Sequence, residues 1–346
     1  MKAWVIENIM QLTEGLQPLS LYDLPIPDPG KGEILLQVNA CGVCHTELDE
    51  IEGRTPPPSL PIIPGHQVIG TIVKHGPDSG KYPIGMRVGV AWIYSTCGSC
   101  RFCKSDQENL CPEFKATGRD INGGYAEFMV AKEDYVFPIP ESFTDIEAAP
   151  FLCAGAIGYR SLRLSGIANG ETLGLTGFGA SAHLVLKLAR FMYPEGKIIV
   201  FARQPEEREF ALQLGAVWSG DTTDIPPIKP KVIIDTTPAW KPVIHALRNL
   251  APGGRLIINA IRKEDTDKHF LQQVNYPSDL WMEKEIKSVA NVERNDVQEF
   301  LEFAARIPIK PQVEVYDFLQ ANQALHDIKH RRIRGAKVLR FKHSSA

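Results

Sequence analysis

The stretch ETLGLTGFGASA, from Glu171 to Ala182, is the one on which the architecture turns. It reads as a short apolar strand, then the turn Gly177-Phe178-Gly179-Ala180-Ser181-Ala182, then an amphipathic helix over Ser181–Met192. A strand–GxGxxA–helix turn is a dinucleotide fingerprint, because its glycines let the backbone approach a pyrophosphate seated at the helix N-terminus. The turn alone would fit a plain tight turn equally well. The residues C-terminal to it give it weight: predicted strands at Lys197–Ala202, Lys231–Thr237 and Gly254–Ala260 alternate with helices at Pro205–Leu214 and Ala239–Leu250. Such alternation implies a parallel sheet with crossover helices, a Rossmann-type doubly wound unit. Gly177, Gly179 and Ala182 are therefore cofactor-binding candidates. At the end of the second strand, where a carboxylate would hold a ribose 2′-hydroxyl, stand Ala202 and Arg203. Ala202 removes a repulsion and Arg203 offers a guanidinium to a 2′-phosphate, which tilts the expectation toward NADP(H) over NAD(H). The alternative is that Arg203 stacks on adenine or faces solvent.

Working outward, the 346 residues exceed one comfortable core, and 44% hydrophobic with 23% charged residues are ordinary globular values. A net charge of −3 offers no basic footprint, so nucleic acid and acidic membranes are not expected partners. The N-terminal residues lack the apolar core of a secretion signal, and no run is long enough to span a bilayer, so a cytoplasmic protein is expected. Residues 1 to about 150 are rich in Pro and Gly. Short β-type runs at Lys2–Ile6, Gly32–Ala40, Val68–Lys74, Met86–Ile93 and Tyr125–Ala131 predict a loop-rich, β-barrel-like domain. After Ala290 the pattern gives a helix Asp296–Arg306, a strand Gln312–Tyr316, a helix Ala321–Lys329 and a strand Ala336–Phe341. The expected organisation is a first domain over 1–152, a nucleotide domain over 153–289, and a segment over 290–346 that returns to the first.

The chemistry lies in the cysteines. Seven without a secretion signal argue against a disulfide framework and for metal or redox work. Cys97-Gly-Ser-Cys100-Arg-Phe-Cys103, followed after seven residues by Cys111-Pro112, points to a closed tetrahedral site in a lobe over about 95–113. Such a site is structural, because no coordination position remains for substrate. An iron–sulfur cluster is the rival, but the last gap is seven residues rather than three, which favours zinc. A nucleic-acid-binding zinc module would need more bases than Arg101 and Lys104. Separately, Cys41-Gly-Val-Cys44-His45-Thr46-Glu47, Gly65-His66-Gln67 and Cys153-Ala-Gly155 together offer two thiolates and an imidazole. Cys44, His66 and Cys153 read as three ligands of one zinc with a fourth position open. Such an ion can bring an alcohol or water pKa from about 16 toward roughly 7. Taken singly, each of the three is more often a buried hydrophobe or a satisfied core histidine, and their joint occurrence with the four-cysteine lobe and the glycine turn reverses that. Cys41 reads as a buried structural thiol.

Taken together, CGVCHTE, PGHQVIG, the four-cysteine lobe, TGRDINGGYAEFMVA, PFLCAGAIGYRSL, the GxGxxA turn, APGGRL and RIRGAKVL resemble the zinc-dependent medium-chain alcohol dehydrogenase family nearly end to end. That resemblance implies a GroES-like catalytic domain, a Rossmann domain and a cleft between them, with two zinc ions per chain. It implies reversible oxidation of an alcohol, with hydride passing to a nicotinamide. Cys44, His66 and Cys153 match its catalytic zinc ligands, and Cys97, Cys100, Cys103 and Cys111 its structural ones. Thr46 matches the hydroxyl that takes the alcohol proton, His45 a contact to the pyrophosphate, Glu47 an acidic group that orients the histidine ligand, and Trp92 a wall of the substrate pocket.

Four positions depart from the family pattern. Gln67 replaces a glutamate that can approach zinc during ligand exchange. Asp49 replaces a histidine that ends the proton relay, and a carboxylate is the weaker base. Ile157 replaces a threonine beside the nicotinamide. Thr55 replaces a tryptophan over the substrate, which implies room for longer or aromatic primary alcohols. A sugar or polyol dehydrogenase is the rival within the family, disfavoured by the apolar Trp92 and Ile157. A non-catalytic binding member is the rival outside catalysis. The resemblance also implies a homotetramer, otherwise a homodimer.

Overall fold

The computed structural model describes residues 1–307, 309–330 and 335–342. The chain divides into two compact units, Met1–Ala156 with Val292–Ala346, and Ile157–Asn291. Residues 332–334 of the RIRGAKVL stretch lie outside the described residues.

The first unit is built on a seven-stranded sheet. Its organising strand is Glu33–Val43, whose eleven residues are alternately and then continuously buried. It pairs antiparallel with Val68–His75, Phe128–Lys132 and, from the end of the chain, Ala336–Arg340. Register shifts at Leu35/Leu36 and Val38/Ala40 bend this strand, as β-bulges do, so one strand serves three neighbours. The core beneath it includes Ile34, Leu36, Val38, Ile72, Val88 and Leu339, all fully buried. The strand runs on to Val43 rather than ending at Ala40, and the chain then turns at Cys44 into a short helix, His45–Ile51. That helix was not expected from the sequence.

The run expected as one strand, Met86–Ile93, is two. Arg87–Val90 belongs to the main sheet, whereas Ile93–Ser95 pairs with Lys115–Ala116 in a separate ribbon. Trp92 lies at the break, buried. Likewise Tyr125 stands outside the strand Phe128–Lys132, because its ring is packed under Gly65.

The second unit is a six-stranded, wholly parallel sheet in the order Trp218–Gly220, Lys197–Phe201, Thr172–Thr176, Val232–Asp235, Arg255–Ile258, Glu285–Ser288. The central strands are almost wholly buried and mostly apolar, as strands covered on both faces are, with Thr172, Thr176, Lys197 and Asp235 at their ends. The helices Ala180–Met192, Pro205–Gln213 and Lys241–Asn249 are the crossovers. This is the Rossmann-type doubly wound arrangement. Two of its strands were not expected from the sequence. Trp218–Gly220 is only three residues long, and Glu285–Ser288 is exposed at all four positions, so neither carries an apolar run.

Candidate metal and active site

Residues 42–47 form the floor of the site. Cys44 caps the helix His45–Ile51: its extended backbone breaks from the strand, and its sulfur accepts from Thr46 N at 3.5 Å. Glu47, three residues on, returns the bond: its Oε2 accepts from Cys44 N at 2.8 Å, completing a capping box with cysteine in the usual place of serine. The other carboxylate oxygen, Oε1, lies 2.7 Å from His66 Nδ1. Glu47 and His66 are both essentially inaccessible, so this contact fixes the imidazole with its Nε2 edge free for another partner. Before His66, Gly65 has φ +100°, and a Cβ there would meet the Tyr125 ring at 2.4 Å. Only glycine lets the chain pass.

Cys153 follows the short turn Ala149–Leu152 and precedes the helix Ala154–Ser165. Its sulfur, the Cys44 sulfur and a His66 ring nitrogen all lie within 4.8 Å of one another. Contact with Cys153, helped by His66 and opposed by burial, drives the Cys44 thiol well below its ordinary range. The same contact, with burial, drives Cys153 well up. Burial would push the His66 imidazolium down, but Glu47 and Cys44 outweigh it and the net direction is up. Two soft sulfurs and an imidazole sharing protons in a buried niche form the donor set of a three-ligand zinc site, and a divalent cation would take the protons' place. The Thr46 hydroxyl is 3.4 Å from the Cys44 sulfur, and the Trp92 ring stands edge-on to His66 with centroids 5.0 Å apart.

The other candidate residues of the first unit have their own surroundings. His45 is exposed on the first helical turn. Gln67 is buried with its side chain against Gly42. Cys41 is fully buried and donates to the Gly42 carbonyl at 3.6 Å, and burial lifts its thiol well up. Asp49 Oδ1 pairs with Arg54 Nε at 2.6 Å. Thr55 is half-buried and its amide donates to the Asp49 carbonyl at 3.0 Å. Ile157 belongs to the second unit.

The sequence reading passed over Glu50, one turn beyond Glu47. Its carboxylate is buried with no hydrogen-bond partner among the described residues on either oxygen, and burial together with Glu47 pushes its pKa well up. The i, i+3 spacing from Glu47 on a short helix was the available signal.

The second cluster is local. The four sulfurs of Cys97, Cys100, Cys103 and Cys111 also lie within 4.8 Å of one another. Cys97 to Cys103 is 3.9 Å and Cys100 to Cys103 is 3.5 Å, against about 3.8 Å for the edge of a zinc–thiolate tetrahedron. Backbone N–H groups already serve the sulfurs: Cys100 N donates to Cys97 at 3.3 Å, and both Cys97 N and Glu113 N donate to Cys111 at 3.4 Å. Backbone donation from Ser99 and Cys100 brings the Cys97 thiol down to about 6. These residues fit a closed tetrahedral metal.

In the second unit, Gly177 has φ +79°, and a Cβ there would crowd Thr236 Oγ1 at 2.9 Å. Gly179 caps the thirteen-residue helix Ala180–Met192 without any side-chain cap, and a Cβ on it would meet nothing within 4 Å. That open glycine turn at a helix start is the kind of place a pyrophosphate occupies. Ala182 is fully buried inside the first helical turn. Ala202 is buried at the end of its strand, and Arg203 is exposed.

Comparison with known proteins agrees with this geometry. Residues 30–141 match the family described as alcohol dehydrogenase GroES-like domain. The probable alcohol dehydrogenase AdhA of Mycobacterium tuberculosis is 38% identical over 344 residues, covering 98% of this chain and 97% of its own length. The chain belongs to the alcohol dehydrogenase family. An alcohol dehydrogenase of Geobacillus stearothermophilus is 32% identical over 341 residues, 96% of this chain and 98% of that one. Among solved structures, a cinnamyl alcohol dehydrogenase (SbCAD4) of Sorghum bicolor superposes with a TM-score of 0.84 at 24% identity, covering 100% and 99% of the two chains. The first unit is thus the family's GroES-like domain and the second its Rossmann-like parallel sheet. No helix among the described residues is long and apolar enough to cross a membrane.

Proposed function

We propose that this chain is a zinc-dependent alcohol dehydrogenase that reversibly oxidises primary medium-chain or aromatic alcohols to aldehydes, passing hydride to a nicotinamide dinucleotide. The convergence of the donor atoms of the buried His66 and the half-buried Cys44 and Cys153 carries this reading. A zinc ion held by those three residues would supply the Lewis acidity that makes an alcohol proton labile near neutral pH. The chain's own residues do the rest. Thr46, with its hydroxyl beside the Cys44 sulfur, is placed to take the alcohol proton. Glu47 holds the imidazole of His66 in one tautomer and orientation. Trp92 presents an apolar wall next to His66, and Thr55 leaves space where the family carries a larger ring. Cys97, Cys100, Cys103 and Cys111 would hold a second, structural zinc.

The dinucleotide would lie on the Gly177–Ala182 turn, and we favour NADP(H). Arg203 is exposed at the end of its strand, the buried Ala202 brings no negative charge, and Arg208 Nη2 donates to the Arg203 carbonyl at 3.4 Å, a second guanidinium close by. A cytoplasmic homotetramer, otherwise a homodimer, completes the proposal. The open edge strand Glu285–Ser288, with Ile286 exposed and Trp281 and Met282 exposed just before it, supports assembly through the second unit.

The test is a grid of turnover measurements on protein whose zinc content has been counted. NADH and NADPH are each paired with a short aliphatic, a long aliphatic and an aromatic aldehyde. About two zinc ions per chain, with turnover greatest for NADPH and a bulky aldehyde, is the expected result. Full zinc without turnover on any of these aldehydes or the corresponding alcohols would overturn the enzymatic reading. Preference for ethanol or for NADH would overturn its finer parts.

A further inference from the structure

Glu108 lies between Cys103 and Cys111, in the short turn Glu108–Leu110, and is buried. Its carboxylate takes four contacts from one residue 186 positions later: Arg294 N and Nε reach Oε1 at 2.9 and 3.0 Å, and Nε and Nη2 reach Oε2 at 3.0 and 2.8 Å. The same guanidinium lies 4.4 Å over the ring of Tyr135. The Tyr135 hydroxyl in turn accepts from Thr96 N at 3.0 Å, immediately before Cys97. Both ends of the cysteine lobe are therefore gripped by one arginine, directly and through one tyrosine. A bidentate guanidinium–carboxylate contact of this kind, with the carboxylate buried, is directional as well as strong.

Arg294 is the first residue of the helix Arg294–Arg306. Nearly two turns on, Phe300 is 1% exposed and stands edge-on to Phe151, centroids 5.4 Å apart. Phe151 is braced on its other side by Phe143 at 4.9 Å. Phe300 also presses on Gly155, where a Cβ would come within 2.4 Å of its ring. Phe151 is two residues before Cys153 and Gly155 two residues after it. One ring thus packs on both flanks of a metal-ligand candidate, on backbone that belongs to no long sheet strand.

We propose that Phe300 is a positioning residue for Cys153, and that the helix Arg294–Arg306 transmits the state of the four-cysteine lobe to that sulfur. The helix is rigid along the distance involved, and close-packed aromatic contacts shift as a body rather than yield. A lobe that loses its metal releases Glu108, frees the first turn of the helix and relaxes the ring that sets Cys153. The inference rests on the three-donor site holding a metal.

The test measures metal binding rather than turnover. Protein with the four-cysteine lobe loaded with zinc is titrated with Co2+ against a chelator, following the thiolate-to-cobalt absorption and the cobalt d–d bands of the three-donor site. Phe300→Ala is expected to weaken cobalt binding about tenfold and to shift the d–d bands, the scale usual for loss of a group that supports a metal ligand. Phe300→Leu, which keeps bulk against Gly155, is expected to recover most of the loss. Glu108→Gln, remote from the site, is expected to move affinity the same way by roughly two- to threefold, the lower end of such support effects. A folded Phe300→Ala protein with wild-type affinity and bands would reduce Phe300 to core packing and end the proposal. A silent Glu108→Gln would cut the arm to the lobe. Wild-type protein that binds no cobalt beyond the lobe would overturn both this inference and the proposed function, whereas normal cobalt binding without turnover would overturn only the latter. If Phe300→Ala fails to fold, Phe300→Val, which also withdraws bulk from Gly155, replaces it in the same titration, and wild-type affinity and bands would again end the proposal.

Discussion

The two cysteine clusters use the same atoms for opposite ends. One gathers four sulfurs from fifteen consecutive residues, Cys97 to Cys111, and serves two of them, those of Cys97 and Cys111, with nearby backbone N–H groups. The other takes Cys44, His66 and Cys153 from a helix cap, a loop and a turn, and three carboxylates, Glu47, Asp49 and Glu50, lie in the helix that Cys44 caps. The first closes a loop and leaves no donor position open. The second draws its donors from across the first unit and, on the proposed reading, offers three donors to an ion that takes four. Local assembly suits stability, and distributed assembly suits a site whose ligands must be tuned one at a time.

Removing one donor from each cluster should separate these roles. Cys153→Ser is expected to lower kcat/KM by about a thousandfold or more, the several kcal/mol that Lewis-acid stabilisation contributes, while native mass spectrometry still finds one metal per chain. Retained turnover would erase the distinction. Cys111→Ser should act first on the fold: a loss of several kcal/mol and a fall in Tm of about 10 °C are expected by calorimetry. An unchanged Tm would mean that the lobe is not structural.

Glu47→Gln should weaken the three-donor metal by about tenfold to a hundredfold in chelator competition, without altering the metal content of the lobe. In cofactor kinetics, Arg203→Ala is expected to lower kcat/KM for NADPH by about tenfold and to leave NADH nearly untouched, consistent with loss of one charge-assisted contact. Equal losses with both cofactors would assign Arg203 to the adenine or to solvent. The smallest effect is expected at Asp49. Because its carboxylate is already engaged by Arg54, Asp49→Asn should leave any neutral limb of the pH–rate profile where it is, measured as kcat/KM from about pH 5 to 9.

The same contrast governs what could be read from the sequence. Short-range patterns were legible: C-x₂-C-x₂-C-x₇-C needs no knowledge of the fold, and the strand–glycine–helix turn opens a sustained alternation of strand and helix. The three-donor set was read from residue chemistry alone and strengthened by family resemblance, because no spacing rule joins position 44 to 66 and 153. Features that depend on distant packing left no mark. Arg294 carries nothing in its neighbourhood to announce Glu108. The edge strand Glu285–Ser288 lacks buried positions altogether, so the periodic signal on which strand recognition relies is absent. The helix Ala154–Ser165 begins Ala-Gly-Ala-Ile-Gly, where glycine argues against helix, and Gly155 is needed for the approach of Phe300. The helix at His45 was obscured because its cap is a cysteine, which is read first as a ligand.

Glu47 commits one oxygen to the Cys44 amide and the other to the His66 ring. Any event that fixes the imidazole on an incoming cation therefore also bears on the Cys44 amide at the first turn of the helix. The amide proton of Cys44 becomes a built-in reporter: its exchange with deuterated solvent should slow when the niche is filled and quicken when it is emptied, whether or not any substrate is present. A single backbone hydrogen would then register occupancy of the niche in a protein that has not turned over once.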